Sequence, residues 1–160
     1  MAENLVIGIG DPLRGDDGVG VAVIDRLRRY PLPDVRLETH WGEGAGLMAL
    51  WRGRQRVVLV DAMVSGTEPG TLRRFSPDAL PSPGLFPYST HRFGLAEALQ
   101  LSAVLGELPA DLLVVGIEGG CFDPGRALTP AVAEAVVTAT DAILEWLSTA
   151  PRAVPRSASR

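Results

Sequence analysis

The 160-residue chain has one cysteine, two histidines and a formal net charge of −4. A single thiol excludes an internal disulfide framework and a four-cysteine zinc site. The negative balance argues against a nucleic-acid partner. No apolar run approaches the roughly 18 residues of a membrane-spanning helix, and no basic stretch leads into an apolar signal segment. A cytoplasmic protein with no membrane association is therefore expected. Ser65, Ser89 and Ser102 lack a Gly-x-Ser-x-Gly context, which removes the serine-hydrolase elbow. Repeats and linker-like compositions are missing as well.

What is present is an ordinary globular balance, 46% hydrophobic and 21% charged, on a length that suits one domain with a sizeable core. Short apolar runs alternate with helical periodicity. Leu5–Ile9 reads as a buried strand. Val19, Val23, Ile24 and Leu27 predict a helix up to about Tyr30, stopped by Pro31 and Pro33. Val35–Thr39 alternates like a second strand, and 44–51 carries Leu47, Leu50 and Trp51 on a short helix. Val57–Val60 is apolar throughout, as a strand covered on both faces would be, with Asp61 at its carboxyl end. Thr71–Phe75 is an additional strand candidate, and 76–89 is a Pro- and Ser-rich loop. Periodicity returns from about His91 to Leu105, Leu112–Ile117 is another buried strand, and a long helix spans Pro130 to about Leu147 with Thr129 as N-cap. This β-α-β order predicts a single three-layer α/β/α domain over residues 1–150, with a mostly parallel, mixed sheet. A loosely held tail is expected over 151–160.

The segment Gly8-Ile-Gly-Asp-Pro-Leu-Arg-Gly-Asp-Asp-Gly-Val-Gly20 carries the most information. A strand that enters a helix through a glycine-punctuated turn normally offers backbone N–H groups to phosphate. Here Asp11, Asp16 and Asp17 occupy the turn, and carboxylates repel phosphate and attract cations. Asp61 and His91 also fall near carboxyl ends of strands, where α/β sheets build sites. Two carboxylates and an imidazole suit an open divalent-metal site. Plainer readings stand beside this one. Asp16 or Asp17 could cap the following helix, Asp61 could end a strand in a turn, and His91 could be a first-turn residue beside Thr90. His40 is a rival ligand, Glu118 another acid for the same cleft, and Cys121 either a nucleophile paired with His91 or an incidental thiol.

These residues resemble the nickel-iron hydrogenase maturation endopeptidases. The N-terminal signature above matches first. Val58-Leu-Val-Asp61-Ala-Met, Thr90-His91-Arg-Phe-Gly-Leu95, and Val115-Gly-Ile-Glu118 with Leu128-Thr-Pro130 follow in the same order. The resemblance reaches about Leu147. It implies a compact α/β/α fold and removal of the C-terminal extension from the nickel-loaded precursor of a hydrogenase large subunit, and transient contact with so large a substrate favours a monomer. It further implies Asp17, Asp61 and His91 as contacts to nickel supplied by the substrate, or to another divalent metal at that place. Asp16 matches the preceding acid and reads as a general base or an orienting group, so Asp16, Asp17, Asp61 and His91 form the catalytic set. Two departures stand out. Asp11 occupies a position commonly held by Asn, and His40-Trp-Gly-Glu-Gly44 is heavier and more acidic than the family's segment, which bears on substrate preference. Outside the resemblance, the residues leave room for a nucleotide-binding α/β module or a non-catalytic nickel-binding factor. The former is disfavoured by spacing that departs from Gly-x-Gly-x-x-Gly.

Overall fold

The computed structural model describes residues 4–86 and 92–151. Along the chain run β1 (Asn4–Ile9), a 3-10 turn (Gly15–Gly18), α1 (Val19–Leu27), β2 (Val35–His40) and α2 (Gly44–Trp51). They are followed by β3 (Arg56–Met63), β4 (Leu72–Phe75), α3 (Leu95–Leu105), β5 (Asp111–Glu118) and α4 (Pro130–Ser148). The strands form one sheet in the order β2-β1-β3-β5-β4. All neighbours are parallel except β4, which pairs antiparallel with β5 at the edge. The domain is thus α/β with a mixed, mostly parallel sheet.

The layers follow from strand periodicity. Leu5, Ile7 and Leu59 point to one face and pack with Leu47, Trp51, Leu95 and Leu99 of α2 and α3. Val6, Val58 and Val60 point to the other and pack with Val23, Ile24, Val132 and Ile143 of α1 and α4. Burial on both faces is why β1, β3 and β5 read as unbroken apolar runs. The edge strand β2 is instead only partly buried, with Arg36 and Thr39 exposed. Trp51 places its indole N–H on Ser102 Oγ at 3.0 Å, which gives that buried serine a structural role. At the opposite end of the sheet, buried Arg56 donates to Asp111 at 2.8 Å and to the carbonyls of Trp146 and Thr149. Its charge meets the negative end of α4 and fastens that helix to β3. No helix among the described residues is long and apolar enough to cross a membrane.

Several boundaries differ from the sequence expectation. α1 closes at Leu27, and tighter bonds from Arg29 N–H to Arg26 and from Tyr30 N–H to Leu27 end it as turns. α3 begins at Leu95, because Gly94 is its N-cap and the Glu97 carboxylate accepts the Gly94 N–H at 3.2 Å. The expected helix start at His91, the capping Thr90 and Ser89 lie outside the described residues, as do residues 152–160 of the expected tail. β3 does not stop at Asp61 but continues to Met63, because β5 keeps pairing with it through Glu118.

This last difference positions the site. Pairing of β1 with β3 ends at Gly8 and Val60, so Asp61 is the first β3 residue past the end of that ladder. β1 turns away through Gly10, whose φ of +134° suits glycine. α1 then returns over both strands through Gly20. A Cβ there would lie 2.6 Å from the carbonyl oxygens of Ile9 and Val60, so only glycine lets the helix settle this closely.

Candidate active site

Asp17 belongs to the 3-10 turn and Asp61 to β3, and both line one narrow crevice with Ile9, Gly10, Trp41, Gly42 and Leu95. The crevice is small, about 10 Å³, close to the space that one water needs. Asp17 is 9% exposed and Asp61 6% exposed. Asp17 Oδ2 accepts the Asp11 N–H at 2.9 Å. Burial lifts the Asp17 carboxyl above its ordinary range. The Asp11 N–H and the Arg14 charge pull it back, and the Asp11 charge adds a smaller upward push. The Asp61 carboxyl is held well above its ordinary range, first by burial and then by the negative Asp17 facing it, against the Ala62 N–H. Two desolvated acids that repel each other are the kind of donor set that a cation relieves. Among the described residues no three His, Cys, Asp or Glu side chains gather around a common point. Asp17 and Asp61 supply two such groups, and the third expected ligand, His91, lies outside the described residues.

Asp16 stands one residue away and does something else. It is fully buried. Its Oδ2 accepts the N–H groups of Gly120 and Cys121 at 2.8 and 3.0 Å, and its Oδ1 accepts the Thr129 N–H at 2.7 Å. The Thr129 hydroxyl also reaches both oxygens. Asp16 therefore pins the loop between β5 and α4 onto the 3-10 turn. Neither aspartate caps a helix through its side chain. Thr129 is the N-cap residue of α4, but its hydroxyl serves Asp16 rather than the helix.

Glu118 is a second clamp. Its carboxylate accepts the Ser65 N–H at 2.9 and 3.0 Å, the Ser65 hydroxyl at 2.7 Å and the Gly66 N–H at 3.1 Å. Burial pushes this carboxyl upward, but the bonds from Ser65, Thr67 and Gly66 outweigh burial and hold it below its ordinary value. That sign means the stabilisation is present above the unfolded-state pKa and is lost as pH falls through the folded one. Glu118→Ala is expected to lower stability by about 2 kcal/mol by orphaning the N–H groups it now receives. Urea unfolding checks this: an unchanged midpoint at neutral pH would show that the 65–66 loop is held by other contacts.

The remaining candidates lie off the crevice. His40 Nδ1 accepts the Gly42 N–H at 3.0 Å, which puts the neutral ring's proton on Nε2. Its ring packs on Gly46, where a Cβ would come within 2.7 Å of Nε2. His40 lines an adjoining groove and does not join Asp17 and Asp61. Glu43 is the N-cap of α2 and accepts the Ala45 and Gly46 N–H groups at 2.7 and 2.8 Å. Cys121 sits in the clamped loop, and its carbonyl accepts the Asp16 N–H at 2.8 Å. The N–H groups of Asp11 and Asp17 are spent inside the turn and that of Asp16 on Cys121, so these three acids offer no phosphate cradle. Arg14 is a residue that the sequence analysis does not single out. Arg14 places its charge beside Asp17, for which the short spacing within one turn was the available signal.

The chain is similar to known proteins over most of its length. The family model HycI, hydrogenase maturation protease, matches residues 23–146. Hydrogenase 2 maturation protease of Escherichia coli K12 is 32% identical over 158 residues, covering 96% of this chain and 96% of that protein. The hydrogenase expression/formation protein HupD of Thiocapsa roseopersicina is 35% identical over 150 residues, covering 91% and 68%. Among solved structures, the hydrogenase maturating endopeptidase HybD from E. coli superposes with a TM-score of 0.78 at 30% identity, covering 98% of this chain and 99% of that one. The [NiFe] hydrogenase maturation protease HycI from Thermococcus kodakarensis KOD1 gives 0.67 at 27% identity, covering 92% and 94%. A family match over most of the chain, sustained through relatives of similar length and fold, makes this protein a member of the hydrogenase maturation protease family and an endopeptidase.

Proposed function

We propose that the substrate is the nickel-loaded precursor of a nickel-iron hydrogenase large subunit, and that this enzyme removes its C-terminal extension at the crevice between Asp17 and Asp61. The observation that carries the reading is the pair of buried carboxylates, one from the turn after β1 and one from β3, that face each other across that crevice. Asp17, Asp61 and His91 are the proposed contacts to the precursor's nickel, and oxygen and imidazole donors equally suit another divalent metal in its place. When bound, the cation supplies a Lewis acid for the scissile carbonyl.

The chain's own groups divide the remaining work. Asp17 is steadied by the Asp11 N–H and the Arg14 charge. Asp61 is held by a strand paired on through Met63, so the sheet sets where its carboxylate stands. A carboxylate of the crevice that the cation does not engage is the group placed to take a proton from the attacking water and return it to the leaving amine. The C–N bond breaks, and a carboxylate and an amine result. Asp16 acts as a positioning residue, since its oxygens already hold the loop at 120–129. The enzyme works as a monomer in the cytoplasm and meets its large partner transiently.

Incubating the nickel-loaded precursor with the enzyme tests this, read as the mass lost from the precursor. Wild type is expected to shorten it fully, and Asp17→Ala, Asp61→Ala and His91→Ala to leave it intact. Full shortening by any variant removes that residue from the set, and full shortening by all of them ends the proposal.

A further inference from the structure

We infer that the groove beside the crevice, walled by Leu13 and Trp41, receives one large apolar side chain of the substrate polypeptide next to the cleaved bond; this rests on the proteolytic reading above. The groove has a volume of about 240 Å³ and is lined by Pro12, Leu13, Val21, His40 and Trp41 among others. Gly10 and Trp41 line both the groove and the crevice that holds Asp17 and Asp61, so the two spaces adjoin. Leu13 and Trp41 are each 72% exposed. Two exposed apolar side chains thus wall one concavity beside the paired carboxylates.

The size argues for the occupant. Small-molecule sites run from about 300 to 1,000 Å³, and this groove falls below that range, at the scale of a single side chain. The backbone that carries its walls is tied in advance. Asp11 Oδ1 accepts the Leu13 N–H at 2.9 Å, and His40 Nδ1 accepts the Gly42 N–H at 3.0 Å, so the backbone on either side of the groove is tied by its own side chains. Preorganised walls lose little freedom when they close on a guest. The nearby acid Glu43 is spent on capping α2 and does not enter the groove's lining. Trp41, exposed and lining both the groove and the crevice, is the residue placed to set specificity.

The test uses the full chain and the nickel-loaded precursor. Trp41→Ala is expected to raise KM about tenfold, the scale on which an aromatic anchor is lost, with kcat within about twofold. Trp41→Phe should recover most of the loss, and Leu13→Ala should move KM the same way. Because Trp41 is exposed, its variants should melt within about 2 °C of wild type. Alanine substitution along the precursor around its cleaved bond should find a position whose change raises KM for wild type and adds little for Trp41→Ala, the non-additivity of a direct contact. An unchanged KM in Trp41→Ala overturns the inference, as does a fall in kcat at constant KM. Loss of a wild-type dimer in sedimentation with KM unchanged also overturns it and assigns the face to a second copy of this chain. If wild type itself leaves the precursor uncut, the proteolytic reading falls with it; if wild type cuts and KM does not move, the groove alone falls.

Discussion

Asp61→Asn is expected to abolish processing while making the metal-free protein more stable. Outer contacts of metal ligands already cost 10–100-fold when removed, so loss of a proposed ligand should leave below about 1% of wild-type processing. The gain in stability follows from the same burial. Asp61 stands in a crevice that desolvates it and sets it against Asp17, and both effects disfavour its charge. Its folded pKa lies well above the unfolded value of 3.8. Between those two values the native state binds more protons than the unfolded state, so stability falls as pH rises. The contribution is fully present below the unfolded pKa and is lost as pH climbs through the folded one. An amide never titrates, so the variant escapes this loss. Its melting temperature should exceed that of metal-free wild type at neutral pH, by the equivalent of about 1 kcal/mol, and the gap should close toward pH 4. Added nickel should raise the wild-type melting temperature and leave the variant's nearly still. A variant that melts lower than wild type at every pH would show that the Asp61 carboxylate supports the fold rather than straining it.

Asp16→Ala is expected to do the reverse and weaken the fold itself. The substitution strips the acceptor from the N–H groups of Gly120, Cys121 and Thr129 in one step. Each buried orphan costs about 1–3 kcal/mol, and together a loss of about 4 kcal/mol is expected, which for a chain of this length lowers the melting temperature by about 10 °C. Processing should fall in parallel with the folded fraction, and cooling should recover part of it. A general base would behave otherwise: the turnover rate would collapse with the melting temperature intact. Asp16 and Asp17 are adjacent and chemically identical, yet one faces inward to the loop at 120–129 and its neighbour faces the crevice.

That contrast shows where the sequence stops being legible. β1, β3 and β5 were readable because burial on both faces leaves a run of apolar residues with no alternation. The antiparallel β4 was readable because the Pro69-Gly70 turn precedes it, and α2 because its apolar positions recur from Gly44 to Trp51. The extent of β3 was not readable. Hydrophobicity ends at Val60, but strand length is set by what pairs alongside, and β5 carries the ladder three residues further, to Met63. The start of α3 was misplaced because its cap is a glycine assisted by Glu97, a signal weaker than the Thr90 that attracted the reading. The partition between Asp16 and Asp17 depends on contacts 104 to 113 positions away, which no local pattern contains. Glu118 likewise looked like a cleft acid because it ends a strand, whereas its donors come from the loop after β3. Trp41 drew notice as an unusual residue, but its meaning depends on Leu13, which a separate turn brings to the same groove.

The most direct test of the central claim is anomalous scattering at the nickel edge from crystals of the enzyme soaked with nickel. The account predicts one ion in the crevice, with an oxygen of Asp17 and an oxygen of Asp61 each about 2.1 Å from it, the usual length of a carboxylate bond to a transition metal. An ion bound elsewhere, or in the crevice but bonded to neither carboxylate, would contradict it.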